Sequence, residues 1–124
     1  MLDVKNDLLK NRLYIIIGRP RKDQVSNSVP MIEEKIRALE PGFTCLTRII
    51  DIRDITDDDI QAITQVQRLL CECGMSIAVR IGIDEGKKFL DRIGQDVTYS
   101  VNHANSPQEA EKILDEWVAN QALK

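Results

Sequence analysis

The 124-residue chain is predicted to be an α/β protein with a mostly parallel sheet of four to five strands, covered by about four helices. Three observations predict it. Short β-branched runs alternate with amphipathic helical stretches from residue 12 onward. Glycine, proline or a capping residue punctuates nearly every junction. From residue 12 onward a helical stretch separates each pair of successive strands, as the crossovers of parallel strands require.

The run "RLYIIIG" (12–18) is β-branched and ended by glycine, so it reads as a buried strand. The opening "MLDVKND" is expected to pair with it as a short antiparallel edge strand. The polar stretch "GRPRKDQVSNS" (18–28) reads as a loop, with Ser28 as the N-cap of a helix that tolerates Pro30 in its first turn. In that helix Val29, Ile32, Ile36 and Leu39 recur at helical spacing until "PG" (41–42) stops it.

"FTCLTRIIDI" (43–52) is the second strand. A helix over 57–73 follows, with Ile60, Ile63, Val66 and Leu70 on one stripe and Gly74 as its left-handed terminator. "SIAVRIGI" (76–83) is a strand, and "DEGKKFLDRIG" (84–94) a short helix that buries Phe89, Leu90 and Ile93. "DVTYSV" (96–101) alternates, placing Val97, Tyr99 and Val101 on one face. "SPQE" (106–109) combines a capping serine, a proline at the first helical position and a glutamate three residues after the serine. The last helix then turns Ala110, Ile113, Leu114 and Trp117 inward. No repeat, linker or low-complexity segment interrupts the order, so residues 1–124 are expected to form a single domain.

Composition narrows the function classes. The chain is 43% hydrophobic and 30% charged, ordinary for a globular protein, and its net charge of −3 argues against nucleic-acid binding. No apolar run approaches a membrane span, and the charged start lacks a signal-peptide core, so a cytoplasmic location is expected. Cys45, Cys71 and Cys73 suit a reducing compartment. Cys71 and Cys73 sit two apart on a helix, about 200° around its axis, and so cannot chelate one metal together.

In successive β-α-β units every strand-to-helix loop emerges at the same edge of the sheet. "GRPRK" (18–22), "DITDDD" (54–59), "IDEGKK" (83–88) and "NHANSP" (102–107) should therefore share one rim. In "DITDDD", Thr56 offers a capping hydroxyl and Asp57, Asp58 and Asp59 place carboxylates in the first helical turn, where the helix dipole favours them. Adjacent helical residues diverge, so the three do not converge on a metal. Arg19, Arg21 and Lys22 form the tight basic cluster and are the candidate anion-binding residues. His103 lies on the rim with no spacing that favours Ser100, Ser106 or a cysteine as a nucleophile. Glycine-rich phosphate loops and zinc or hydrolase signatures are missing, so neither a cofactor nor catalytic residues are expected. Response-regulator receiver domains have a similar length and order but need an acidic pair where this chain has "GRPRK", and a lysine where it has "NHANSP".

The order of elements and the segment "RIIDIRDITDDDIQAITQVQRLLCECG" (48–74) resemble the STAS domain, the family of anti-sigma factor antagonists and of the cytoplasmic tails of sulphate transporters. "NRLYIIIGRP", "EPGFTCLTRIIDIRDI" and "SPQEAEKILDEW" look most like its SpoIIAA-like branch. The architectural likeness spans residues 10–120. The family's switch reads Asp-Ser-Ser-Gly-Leu at the start of its second helix. Thr56 takes the aspartate position, Asp57 and Asp58 the serines, Asp59 the glycine and Ile60 the leucine, while Gly74 stands where the terminating glycine belongs.

In the antagonists a serine of that motif is phosphorylated and the added charge releases the partner. This chain has no serine there and carries fixed negative charge instead. The resemblance thus implies a non-enzymatic protein-interaction module whose partner-facing switch position is Thr56, Asp57, Asp58 and Asp59, without the switch. A carrier of the same fold for a small anionic ligand or a lipid is the alternative, favoured by a large apolar cavity. Exposed apolar residues on the rim or an outer helix face would favour a homodimer.

Overall fold

A computed structural model describes residues 2–93 and 98–123 of the chain. The chain enters through a hairpin of β1 (Leu2–Asp7) and β2 (Arg12–Ile17), with Leu2 opposite Ile17 and Asp7 opposite Arg12. The turn is built from side chains: Asp7 Oδ1 accepts the N–H groups of Leu9 and Lys10 at 3.0 and 3.1 Å, and Asn11 takes a left-handed φ of 53°.

After β2 comes a difference from the sequence reading. The stretch read as pure loop contains a one-turn helix, α1 (Gln24–Asn27). It lacks an apolar repeat and is held by polar groups, with Ser26 Oγ donating to Asp23 O at 2.9 Å and Ser28 Oγ donating to Gln24 O at 2.7 Å, while Val25 is buried beneath. Ser28 stands at the N-cap of α2 (Val29–Arg37) as expected, but its hydroxyl is used in that way and makes no capping bond. The remaining elements are β3 (Thr44–Ile49), α3 (Asp57–Glu72), β4 (Ile77–Gly82), α4 (Asp84–Ile93), β5 (Ser100–His103) and α5 (Pro107–Ala122).

The five strands lie in the order β1-β2-β3-β4-β5, with β1 antiparallel and the rest parallel. This is the mostly parallel α/β sheet expected, at the upper strand count, with five helices in place of about four. The strands at 43–52 and 76–83 are shorter than read, because Ile50 and Ile83 already lie beyond the paired register and are exposed. The expected strand at 96–101 begins later, at Ser100, where the Ser100 N–H meets Ser76 O and pairing with β4 starts. Residues 96 and 97, and the glycine expected to end α4 at 94, lie outside the described residues. His103, expected in the rim loop, is the last residue of β5.

Side chains alternate between two layers, as strand geometry requires. Leu13, Ile15, Ile17, Cys45, Ile49 and Ala78 face a core closed by Ile32 and Ile36 of α2, Ile63, Val66 and Leu70 of α3, and Phe89 and Leu90 of α4. Leu46, Ile77, Val79 and Ile81 face the other way, onto Ala110 and Leu114 of α5, with Ile113 and Trp117 half-buried alongside. Because the parallel strands follow one another in chain order, the crossovers pass on one face, and among the described residues α5 is the helix that covers the other.

α3 ends as read: the Met75 N–H bonds Leu70 O at 3.0 Å and Gly74 takes a φ of +89°. Gly82, at the end of β4, has a φ of +118°, and a Cβ there would sit 1.9 Å from Ile49 O. The edge of the sheet at the strands' C-terminal ends, just beyond Ile17, Ile49, Gly82 and His103, is the rim.

Candidate functional site at the rim

Three consecutive aspartates open α3, and the helix phase gives each a different environment. Asp57 and Asp58 are exposed, Thr56 is half-buried and Asp59 is fully buried, at 0%. Thr56 is the N-cap, its Oγ1 accepting the Asp59 N–H at 3.1 Å. Asp59 reciprocates with Oδ2 on the Thr56 N–H at 3.3 Å, completing a capping box. Its other oxygen, Oδ1, reaches across to the Ser26 N–H of α1 at 3.1 Å. The Thr56 hydroxyl also donates to Asp23 Oδ1 at 3.0 Å. Asp59 is therefore an internal strut between two rim segments, while Asp57 and Asp58 are the two carboxylates it presents to solvent.

The basic cluster adjoins this turn. Arg19 pairs with Asp54 of "DITDDD" at 2.7 Å, and Asp54 itself has a left-handed φ of 65°. Arg21 and Lys22 are exposed. A second pair, Arg53 Nη2 to Asp51 Oδ2 at 2.6 Å, follows β3, and the side-chain and backbone N–H donors of Arg53 hold the Asp51 carboxyl down at about 2. Ile50 and Ile83 are exposed at 44% and 39% beside these charges. The rim thus carries mixed charge, with Asp57 and Asp58 exposed at the start of α3 and Asp84 and Glu85 exposed at the start of α4.

His103 does not meet a serine or cysteine. Its Nε2 lies 3.1 Å from Asp91 Oδ2, and Asp91 also pairs with Nη1 of Arg80. Arg80 is 3% exposed, in the middle of β4, and points with Ala78 into the larger core. Sequence reasoning missed this group, though an arginine inside the apolar run "SIAVRIGI" is a departure from strand periodicity that a buried ion pair explains. Arg12 departs from "RLYIII" in the same way. It is 1% exposed, bonds Thr44 Oγ1 at 3.0 Å and reaches Glu111 and Asp115 of α5 at 2.5 and 3.1 Å.

Cys45 is fully enclosed and burial pushes its thiol up to about 11, so it is inert; Cys71 and Cys73 are half-buried and unpaired with each other. Among the described residues no group of three histidine, cysteine or acidic side chains is arranged to hold a metal ion. Nor, among them, is any helix long and apolar enough to cross a membrane. The larger core holds a cavity of about 50 Å³.

No family model matches the chain, and no curated protein does. Solved structures do match its fold. A serine-to-glutamate variant of RsbS from Moorella thermoacetica superposes with a TM-score of 0.67 at 12% identity, over 95% of this chain and 97% of that one. A protein of unknown function from Shewanella loihica PV-4, of the DUF3478 family with a SpoIIAA-like fold, gives 0.68 at 11% identity, over 92% of each chain. The chain has the STAS, SpoIIAA-like fold.

Proposed function

We propose that the chain is a non-enzymatic regulatory module that binds another protein through the rim, with Asp57 and Asp58 as its charged contacts. The observation that carries the reading is the presentation of these two carboxylates. The capping box and the buried Asp59 fix the turn from within, leaving an exposed acidic pair that the resemblance aligns with the family's switch. Two aspartates approach the charge of a phosphoserine but cannot be removed by a phosphatase, so the module would hold one state permanently. Thr56, the hydroxyl nearest to them in sequence, both donates and accepts within the fold, which suits a scaffold role better than modification. Rim charges of this kind act on association rate and partner choice more than on affinity. RsbS, whose solved variant bears an acidic residue in place of a serine, shares the fold and lends the reading its class.

The carrier alternative is less well supported. A cavity of about 50 Å³ does not admit an acyl chain, since benzene already takes about 150 Å³. Of the basic trio, Arg19 is engaged by Asp54. Enzymatic use of the rim carboxylates would need two that converge, whereas Asp57 and Asp58 diverge around the helix.

The test is affinity capture from the source cells, with the wild type beside Asp57→Asn/Asp58→Asn, leaving Asp59 intact. A protein retained by the wild type and weakened about tenfold or more in the variant, mainly through its association rate, supports the reading. Equal retention by both reduces the turn to a helix cap. Light scattering of the purified protein separates a second copy, docking through Ile50 and Ile83, from a different partner.

A further inference from the structure

Between the sheet and helices α2 to α4 the core keeps a cavity of about 50 Å³. A single buried water needs only about 10–15 Å³ of such space. The wall is mostly aliphatic, with Ile15, Val66 and Leu70 among its residues, and Ala78 at the floor contributes the smallest side chain among the buried hydrophobics of β4. Four polar side chains break it: Thr47, Gln67, Arg80 and Tyr99. Arg80 is occupied by Asp91, and Thr47 Oγ1 lies 3.5 Å from Cys45 Sγ. Gln67 is different. Its Nε2 donates to Leu90 O at 3.5 Å, and its buried Oε1 has no partner among the described residues.

Buried acceptors are almost always satisfied, and a glutamine facing an aliphatic cavity is a poor choice for packing alone. We propose that this cavity is a binding site for a small uncharged molecule of at most about four non-hydrogen atoms, with an apolar body and a hydrogen-bond donor that meets Gln67 Oε1. An anion would compete with Asp91 for Arg80, and a cation would find no acidic group in the wall. The site lies inside the fold and not on the rim, so it stands or falls independently of the partner reading.

Propan-2-ol and acetone test it, because they match in size and only the alcohol donates. In methyl-resolved NMR titrations, propan-2-ol is expected to shift the Ile15, Val66 and Leu70 methyls saturably, with acetone about fivefold weaker, the worth of one net hydrogen bond. Gln67→Met keeps the side-chain length and should erase the difference between the two probes. Ala78→Val, which fills the floor, should abolish both. Non-saturable shifts, as expected if buried water alone fills the space, or equal binding of the two probes by the wild type, would overturn the proposal. The wild-type comparison decides the matter even if a variant does not fold.

Discussion

Removing the Asp59 carboxylate strips the acceptor from two backbone N–H groups at once, those of Thr56 and Ser26. Asp59→Ala is therefore expected to cost about 2 kcal/mol in denaturant unfolding, combining a lost cap with an orphaned buried donor. Asp57→Asn and Asp58→Asn, exposed two and one positions earlier, should stay within about 0.5 kcal/mol. Three like letters hid this contrast in the sequence. Only the helix phase, and a one-turn helix without apolar periodicity, show that the third aspartate turns inward. Asp51 gives a residue-scale prediction about pH. Its carboxyl sits at about 2 in the folded protein, below the ordinary value, so the Arg53 interaction stabilises above the unfolded pKa and is lost as pH falls through the folded one. Carboxyl NMR should find its midpoint near 2, and Arg53→Gln should return it towards about 3.9.

At the end of β4 the left-handed backbone of Gly82 lies against the Ile49 carbonyl of β3, with no room for a Cβ. Gly82→Ala would introduce both positive-φ strain and a backbone clash, and a stability loss of about 2–4 kcal/mol is expected by chemical denaturation. A loss below about 1 kcal/mol would mean that the strand ends separate more readily than their packing implies. Elements with both ends written in local chemistry were legible from sequence. α3 lies between Thr56 and Gly74, and α5 starts with Ser106 and Pro107, although Glu109 closes its own turn on the Asn105 N–H and not on the cap residue. α1 was not legible, because its bonds run from polar side chains to the backbone. β5 was misplaced because its start is set by where β4 begins, a tertiary fact.

The whole molecule is two unequal layers on one sheet, and among the described residues α5 is the helix of the thinner one. Arg12 ties that helix to β2 through Glu111 and Asp115. Arg12→Ala should lower stability by about 2–3 kcal/mol, less than a fully buried pair because both partners reach solvent. The single tryptophan, Trp117, donates to Ser76 Oγ at 3.2 Å under α5 and reports its docking. In the wild type its fluorescence and the far-UV dichroism should unfold together. In Arg12→Ala the fluorescence transition should come first; coincident curves would show that α5 does not depend on the clamp. The alternation of strands and helices made the sheet readable from sequence. The buried arginines were visible as irregularities, but their partners lie 99 and 11 residues away and required the fold.

The run of the chain decides where a handle can be attached. Leu2 pairs with Ile17 at the rim, whereas α5 descends past Arg12 and Ser76 and ends at the opposite pole. An affinity tag placed before Leu2 would emerge at the same edge as Asp57 and Asp58, while one placed after residue 123 would emerge at the other end. Immobilised by the second route, the protein faces its surroundings with the acidic pair outward.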